Sequence, residues 1–361
     1  MARLFEPGSI NGLKLKNRVV RSATWEGLAD ADGSATAALN EVVAGLAHGG
    51  VGLIISSHTF IRPDGQAGPG QLGLCADALI PPYRAMVEAV HAAGGRIAAQ
   101  LAHAGERAAT DLTRSAAVTV DALTVEGIEA LATDYGAAAD RARQAGCDGV
   151  QLHAAHGYLI NQFISPAFNH RTDAYGGNVE RRARFALLAL EKVRQAVGPD
   201  FPIMIKINGQ DYQEGGLTIR QSAKICTLLA QAGMDAVEVS GGSMTGKYVP
   251  SRQGISKPAQ EAYHRMEAKT IKRAVDIPVM IVGGIRTFDV AERLLAEGMA
   301  DYISLCRPLI REPNLVARWE RGDLAPARCK SDNLCFGPVR SNDGFYCVLD
   351  HPKEKDGTAL Q

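Results

Sequence analysis

ARQAGCDGVQLHAAHGY, residues 142–158, holds the reading that decides the fold. A helical run ends at Ala145-Gly146, where glycine takes the left-handed conformation that closes a helix at no steric cost. The apolar run that follows does not alternate with polar residues. It reads as a strand covered on both faces, the mark of a parallel sheet. The same phrase returns as AGLAHGGVGLIIS (44–56), VHAAGGRIAAQL (90–101), LAQAGMDAVEVS (229–240) and LAEGMADYISLC (295–306). Working outward gives eight strands, near 18–23, 51–57, 96–101, 148–153, 202–207, 236–240, 278–282 and 301–306. Helices are predicted at 36–48, 82–94, 134–146, 180–197, 218–232, 261–275, 287–297 and 312–320. Eightfold strand–helix alternation predicts an α/β fold closed as a (β/α)8 TIM barrel rather than an open doubly wound sheet. Gly8 to Asn17, with Asn11-Gly12 at its centre, reads as a hairpin closing the barrel bottom.

Composition sets the outer bounds. The 361 residues are 46% hydrophobic and 22% charged, which excludes disordered and collagenous chains, and 39 basic residues balance 39 acidic ones. Such a chain has no global field for nucleic acid or an anionic membrane. No apolar run approaches the roughly 18 residues of a membrane span, and the start, MARLFEP, lacks an apolar signal core. Seven cysteines in a long chain do not form a secreted disulfide framework, so a reducing, cytoplasmic setting is expected. One domain over 1–361 is expected, with a flexible tail from about residue 350.

Strand-to-helix loops are long after strand 3 (about 102–133), strand 4 (154–179) and strand 6 (241–260), so chemistry is expected at the C-terminal barrel face. Strand 7 ends in Val282-Gly283-Gly284-Ile285-Arg286 and strand 8 in Leu305-Cys306-Arg307-Pro308. Glycines that admit an anion to the backbone, beside a fork-shaped cation, suggest a phosphate site; the plainer reading is tight turns. Strand 4 ends in His153, His156 and Tyr158, three polar rings at one rim. Metal binding is disfavoured there, since no further ligand follows at zinc spacing. Lys206 lies inside the apolar run IMIKI and must point into the barrel mouth, toward a cofactor or toward an internal partner such as Asp211 or Glu238. Gln100, on the third strand, points to the same mouth.

The run HAAHGYLINQFISP from His153, followed by NHRTDAYGGNVERR from Asn169, resembles the Old Yellow Enzyme family of FMN-dependent oxidoreductases. Supporting matches are Leu4-Phe5, Lys16-Asn17-Arg18, QLAHAG at 100–105, Asp211-Tyr212 with Glu214-Gly215-Gly216, and Gly283-Gly284. The resemblance reaches from residue 3 to about 320, and among the family's branches the chain looks like bacterial NADH:flavin oxidoreductases and the catalytic barrel of 2,4-dienoyl-CoA reductase. It implies bound FMN and NADPH or NADH as hydride donor. The cofactor set it implies is Ser22, Ala23, Thr24, His58, Gln100, Lys206, Ser240, Gly241, Gly283, Gly284, Cys306 and Arg307. His153 and His156 would grip a substrate oxygen, and Tyr158 would donate the proton. Trp25 stands where many members have Thr or Cys and joins His153, His156 and Tyr158 in the substrate set. His58 replaces a small residue and lines the cofactor or fills space. The activity implied is ping-pong reduction of an activated alkene by NAD(P)H through flavin N5. Alternatives are a dienoyl-CoA-type reductase, an FMN-dependent dehydrogenase of amines or alcohols, or a non-catalytic FMN-binding barrel.

Near the C-terminus the dienoyl-CoA reductase branch has four cysteines on an iron–sulfur cluster, but here Asp332 stands at the second position. Cys329, Cys335, Cys347 and His351 could make a Cys3His zinc site, yet plain thiols without a metal are expected. The family's second, flavin-binding domain is expected to be absent. A homo-oligomer is compatible with the family.

Overall fold

The computed structural model describes residues 2–243, 246–341 and 343–351. The expected tail beyond 350 therefore falls almost entirely outside the described residues. The N-terminal hairpin is present: β1 (Gly8–Ile10) pairs antiparallel with β2 (Leu13–Leu15). Asn11 and Gly12 turn it with φ of 42° and 80°, the double left-handed turn that matches strand twist. Eight strands then close a parallel barrel: β3 (Val19–Arg21), β4 (Leu53–Phe60), β5 (Ile97–Ala102), β6 (Gly149–Ala154), β7 (Ile203–Asn208), β8 (Ala236–Ser240), β9 (Val279–Ile281) and β10 (Tyr302–Leu305). β10 pairs with both β9 and β3, so no edge is left open. The protein is a (β/α)8 TIM barrel.

Helices wrap the outside, among them Ala37–His48, Val125–Gln144, Arg184–Val197 and Ile219–Gln231. Three of these four start at side-chain caps: Thr36 accepts from the Leu39 N–H, Thr124 from the Gly127 N–H, and Thr218 forms a reciprocal capping box with Gln221. The cap at Thr124 corrects the predicted start of the third helix from 134 to Val125, about two and a half turns earlier. The signal was Thr124-Val125-Glu126, hidden by the weakly apolar opening turn. β4 also outruns its predicted end at 57, because Phe60 is held by a bridge to Gly73 in a long loop after this strand.

The lumen has two chemically distinct levels. Its floor is apolar: Ile10 and Leu15 of the hairpin pack beneath Val20, Leu53, Ile55, Ala98, Met204, Ala236, Met280 and Tyr302. The Tyr302 hydroxyl donates to the Ser9 carbonyl at 3.2 Å, fastening the hairpin there. One inward step higher on β5 to β8 the residues become polar, and side chains two apart share a face. Ala98 gives way to Gln100, Gly149 to Gln151, Met204 to Lys206 and Ala236 to Glu238.

Candidate active site

That polar level is one hydrogen-bonded chain. Gln100 Nε2 donates to Gln151 Oε1 (2.7 Å), Gln151 Nε2 to Glu238 Oε2 (2.9 Å), and Lys206 Nζ lies 3.2 Å from the same Glu238 oxygen. Lys206 also donates to Ser22 Oγ at 2.7 Å. Register explains the ion pair, since Lys206 and Glu238 are direct neighbours across β7 and β8. Burial of both makes the pairing obligatory, as a lone charge there is strongly destabilising. The two readings of Lys206 are thus not exclusive: it pairs with Glu238 and also lines the cavity above.

Above this chain the strand ends enclose a cavity of about 190 Å³. Ser22, Ala23, Thr24, Trp25, His156, Lys206, Ser240, Gly284, Cys306 and Arg307 line it, ten of the residues singled out from the sequence. Thr24 Oγ1 lies 3.2 Å from Cys306 Sγ across the seam of β3 and β10. Gly241 and Gly283 do not line it: an added Cβ on either would press on His264, so both serve close packing behind the wall. Gln100 sits deeper, linked to Lys206 only through Gln151 and Glu238.

The histidines and the tyrosine form a compact group on one side of the mouth. His153 stacks on Tyr158 with centroids 4.5 Å apart and lies 5.3 Å, edge-on, from His156. His58 fits edge-on between Tyr158 (5.5 Å) and Trp25 (6.0 Å), outside the cavity lining. The turn carrying them is set by backbone: His156 has φ 64° and Gly157 φ 81°, a conformation histidine tolerates better than most side chains. The His156 N–H donates to Asn208 Oδ1 (3.2 Å) and the Gly157 N–H to Asn161 Oδ1 (2.7 Å). Asn208 in turn donates to Asp211 Oδ1 at 2.8 Å. His156 Nε2 meets Ser240 Oγ at 2.7 Å.

Burial dominates the electrostatics. It pushes His153 and His156 well below the ordinary histidine range, with help from His156 on the former and Lys206 on the latter. Burial, then Lys206, lowers His58 to about 4, and burial lifts Tyr158 to about 12. At neutral pH the group is therefore two neutral imidazoles beside a protonated phenol. His153 Nδ1 is buried with no hydrogen-bond partner. Arg107 Nε, equally unpartnered, sits where a Cβ on Gly157 would fall, and its charge reaches Tyr158 and His156.

The cavity fits an acceptor-rich ligand such as FMN on its own atoms. Trp25 Nε1, Arg286 Nε and Ser304 Oγ line it, buried and without partners, which native interiors rarely leave unmet. Several of its residues carry no assigned role in the sequence reading. Tyr263, Arg286, Ser331 and Phe336 also line the cavity. Arg286 was visible beside Gly283-Gly284; Ser331 and Phe336 come from a segment with no periodicity to read. Cys329 and Cys335, expected to be plain thiols, are buried. Among the described residues no cluster of His, Cys, Asp and Glu is placed to hold a metal ion, and no helix is long and apolar enough to cross a membrane.

Residues 3–324 match the NADH:flavin oxidoreductase / NADH oxidase family. The chain belongs to that family, the Old Yellow Enzyme family, whose enzymes use FMN and NAD(P)H. It is 35% identical to an NADH oxidase from Thermoanaerobacter brockii over 98% of this chain and 56% of the relative. The chain thus spans about half the length of that protein. Among solved structures, an old yellow enzyme homologue from Zymomonas mobilis superposes with a TM-score of 0.78 at 29% identity, covering 91% of this chain and 95% of that one. A 2-naphthoyl-CoA reductase in complex with 2-naphthoyl-CoA reaches 0.89 at 26% identity, over 96% of this chain and 56% of that one.

Proposed function

We propose that this protein is an FMN-dependent NAD(P)H oxidoreductase that reduces activated carbon–carbon double bonds, such as those of enones and enals. The observation that carries this reading is the neutral His153–His156 pair against Tyr158, with His153 Nδ1 unpaired beside a phenol that stays protonated at neutral pH. Bound FMN supplies the hydride relay from NAD(P)H to the β-carbon. The chain's own residues do the rest. Lys206, Ser22, Thr24, Ser240, Gly284, Cys306 and Arg307 line the cavity that would hold FMN, where Arg307 would pair with its phosphate and Lys206 would serve its ring. Two neutral imidazoles donate N–H groups to the substrate carbonyl, where negative charge grows as hydride arrives, and donors fixed in advance favour the transition state over the ground state. Tyr158 releases its proton to the α-carbon, so that NAD(P)H and one proton together saturate the double bond. A lone phenol raised to about 12 is a poor acid at rest, which keeps the proton in place until a carbanion forms.

A second reading, reduction of an unsaturated acyl-CoA, is supported by the 0.89 superposition on 2-naphthoyl-CoA reductase, which covers 96% of this chain. Both readings use the same residues, and assaying the purified enzyme with enones and with unsaturated acyl-CoA esters side by side separates them. The decisive experiment replaces both His153 and His156 by Ala. Enone reduction is expected to fall about 10⁴-fold or more, at about 10²–10³ per oxyanion donor, while the purified protein keeps its yellow flavin. Turnover surviving the double change would end the assignment.

A further inference from the structure

Residues 325–351 lie past the end of the family match, yet they reach the cofactor cavity. Ser331 and Phe336 form part of its wall beside Arg307. The segment is tied down at successive points. Arg286 Nη2 donates to the Ala327 carbonyl (3.1 Å), the Gly254 N–H to the Ser331 carbonyl (3.0 Å), and Gln253 Nε2 to the Asp332 carbonyl (2.9 Å). Two side-chain-bearing residues, Ser331 and Asn333, hold left-handed backbone with φ of 55° and 64°. Such conformations persist only where surroundings enforce them.

Asn333 is the junction. Its Oδ1 accepts from Arg307 Nη1 at 2.8 Å and from Ser251 Oγ at 3.0 Å, and its Nδ2 donates to the Ser251 carbonyl at 2.7 Å. Arg307 is buried, and among the described residues no carboxylate forms an ion pair with it. A neutral amide therefore fixes the guanidinium without cancelling its charge. A carboxylate in that place would aim it equally well but would repel an incoming anion. The fork keeps its remaining donors for an external oxyanion, the geometry that suits phosphate.

We infer that Asn333 is a positioning residue for the flavin phosphate, holding Arg307 toward that group, so that the segment past the family match forms one wall of the phosphate subsite. This rests on the reading above that FMN occupies the cavity with its phosphate at Arg307. Riboflavin, which has the same ring system without the phosphate, isolates the effect. The test titrates the full chain, stripped of flavin, with FMN and with riboflavin, following flavin fluorescence. Wild type is expected to prefer FMN. Asn333→Gly removes the side chain at a φ that glycine adopts freely, and should lower FMN affinity about tenfold while leaving riboflavin affinity unchanged. An unchanged FMN-to-riboflavin ratio in that variant overturns the inference. Should the variant bind neither flavin, Ser251→Ala, which loosens Asn333 from its other side, is read by the same ratio: a fall supports the inference, and no change overturns it. A wild-type protein with no preference for FMN over riboflavin would overturn the phosphate site itself, and the role of Asn333 with it, even if ene-reduction by added flavin persisted.

Discussion

Met204 and Lys206 lie two residues apart on β7 and enter the same lumen, about 7 Å from one another. One rests among Ala98, Ala236, Met280 and Tyr302; the other is strung between Glu238 and Ser22. The floor is held by shape and loss of water, forces without direction that tolerate small shifts. The mouth is held by paired charge and hydrogen bonds, which demand every partner. A single barrel thus keeps a forgiving end and an exacting end, and the candidate chemistry sits at the exacting one.

Acid should separate the two most strongly. The folded protein keeps His58 neutral down to about 4 and His264 down to about 3, with His153 and His156 also well below the usual range. The unfolded chain takes up these protons below about 6.5. Stability is therefore complete above 6.5 and falls as pH drops toward 4, His58 alone accounting for about 3 kcal/mol of the loss. Urea midpoints at pH 5 and 7 test this, and equal midpoints would refute it. Glu238→Leu comes next. It strands Lys206 and should cost about 3–5 kcal/mol, most of it recovered when Lys206→Met is added. If the double variant is no more stable than the single, the pair is not the mouth's organising contact.

Met204→Ala probes the floor. A loss of about 2–5 kcal/mol is expected from the cavity it leaves, with the same value at pH 5 and pH 7, since Met204 packs in an apolar cluster. A pH-dependent cost would show that the two levels are coupled. The smallest effect is Tyr302→Phe, which removes the hydroxyl link to the Ser9 carbonyl and should cost about 1 kcal/mol by the same denaturation assay.

Much of this arrangement is legible in sequence where chemistry is local and repeating. Glycine at five helix ends and the apolar runs after it locate most barrel strands, and His153, His156 and Tyr158 stand out because they fall within six residues at one rim. What escapes reading depends on distant neighbours. The choice of Glu238 over Asp211 as the partner of Lys206 follows from β7–β8 register, which no single chain segment encodes. Asp211 instead takes Asn208, below the turn that carries His156. Residues 327–336 have neither alternation nor helical period, so nothing local distinguishes a cavity wall from a loose end. The ring on His58 is visible as an unusual choice, but its place between Trp25 and Tyr158 needs the closed barrel.

The hairpin beneath the strands has a further consequence. With Ile10 and Leu15 stoppering one end, the doorway toward Lys206 is at the other, where the strand C-terminal ends enclose the cavity. Two reagents that both need that doorway cannot stand in it together. Turn-taking between an electron donor and an electron acceptor would then follow from the architecture alone, without any device to enforce it.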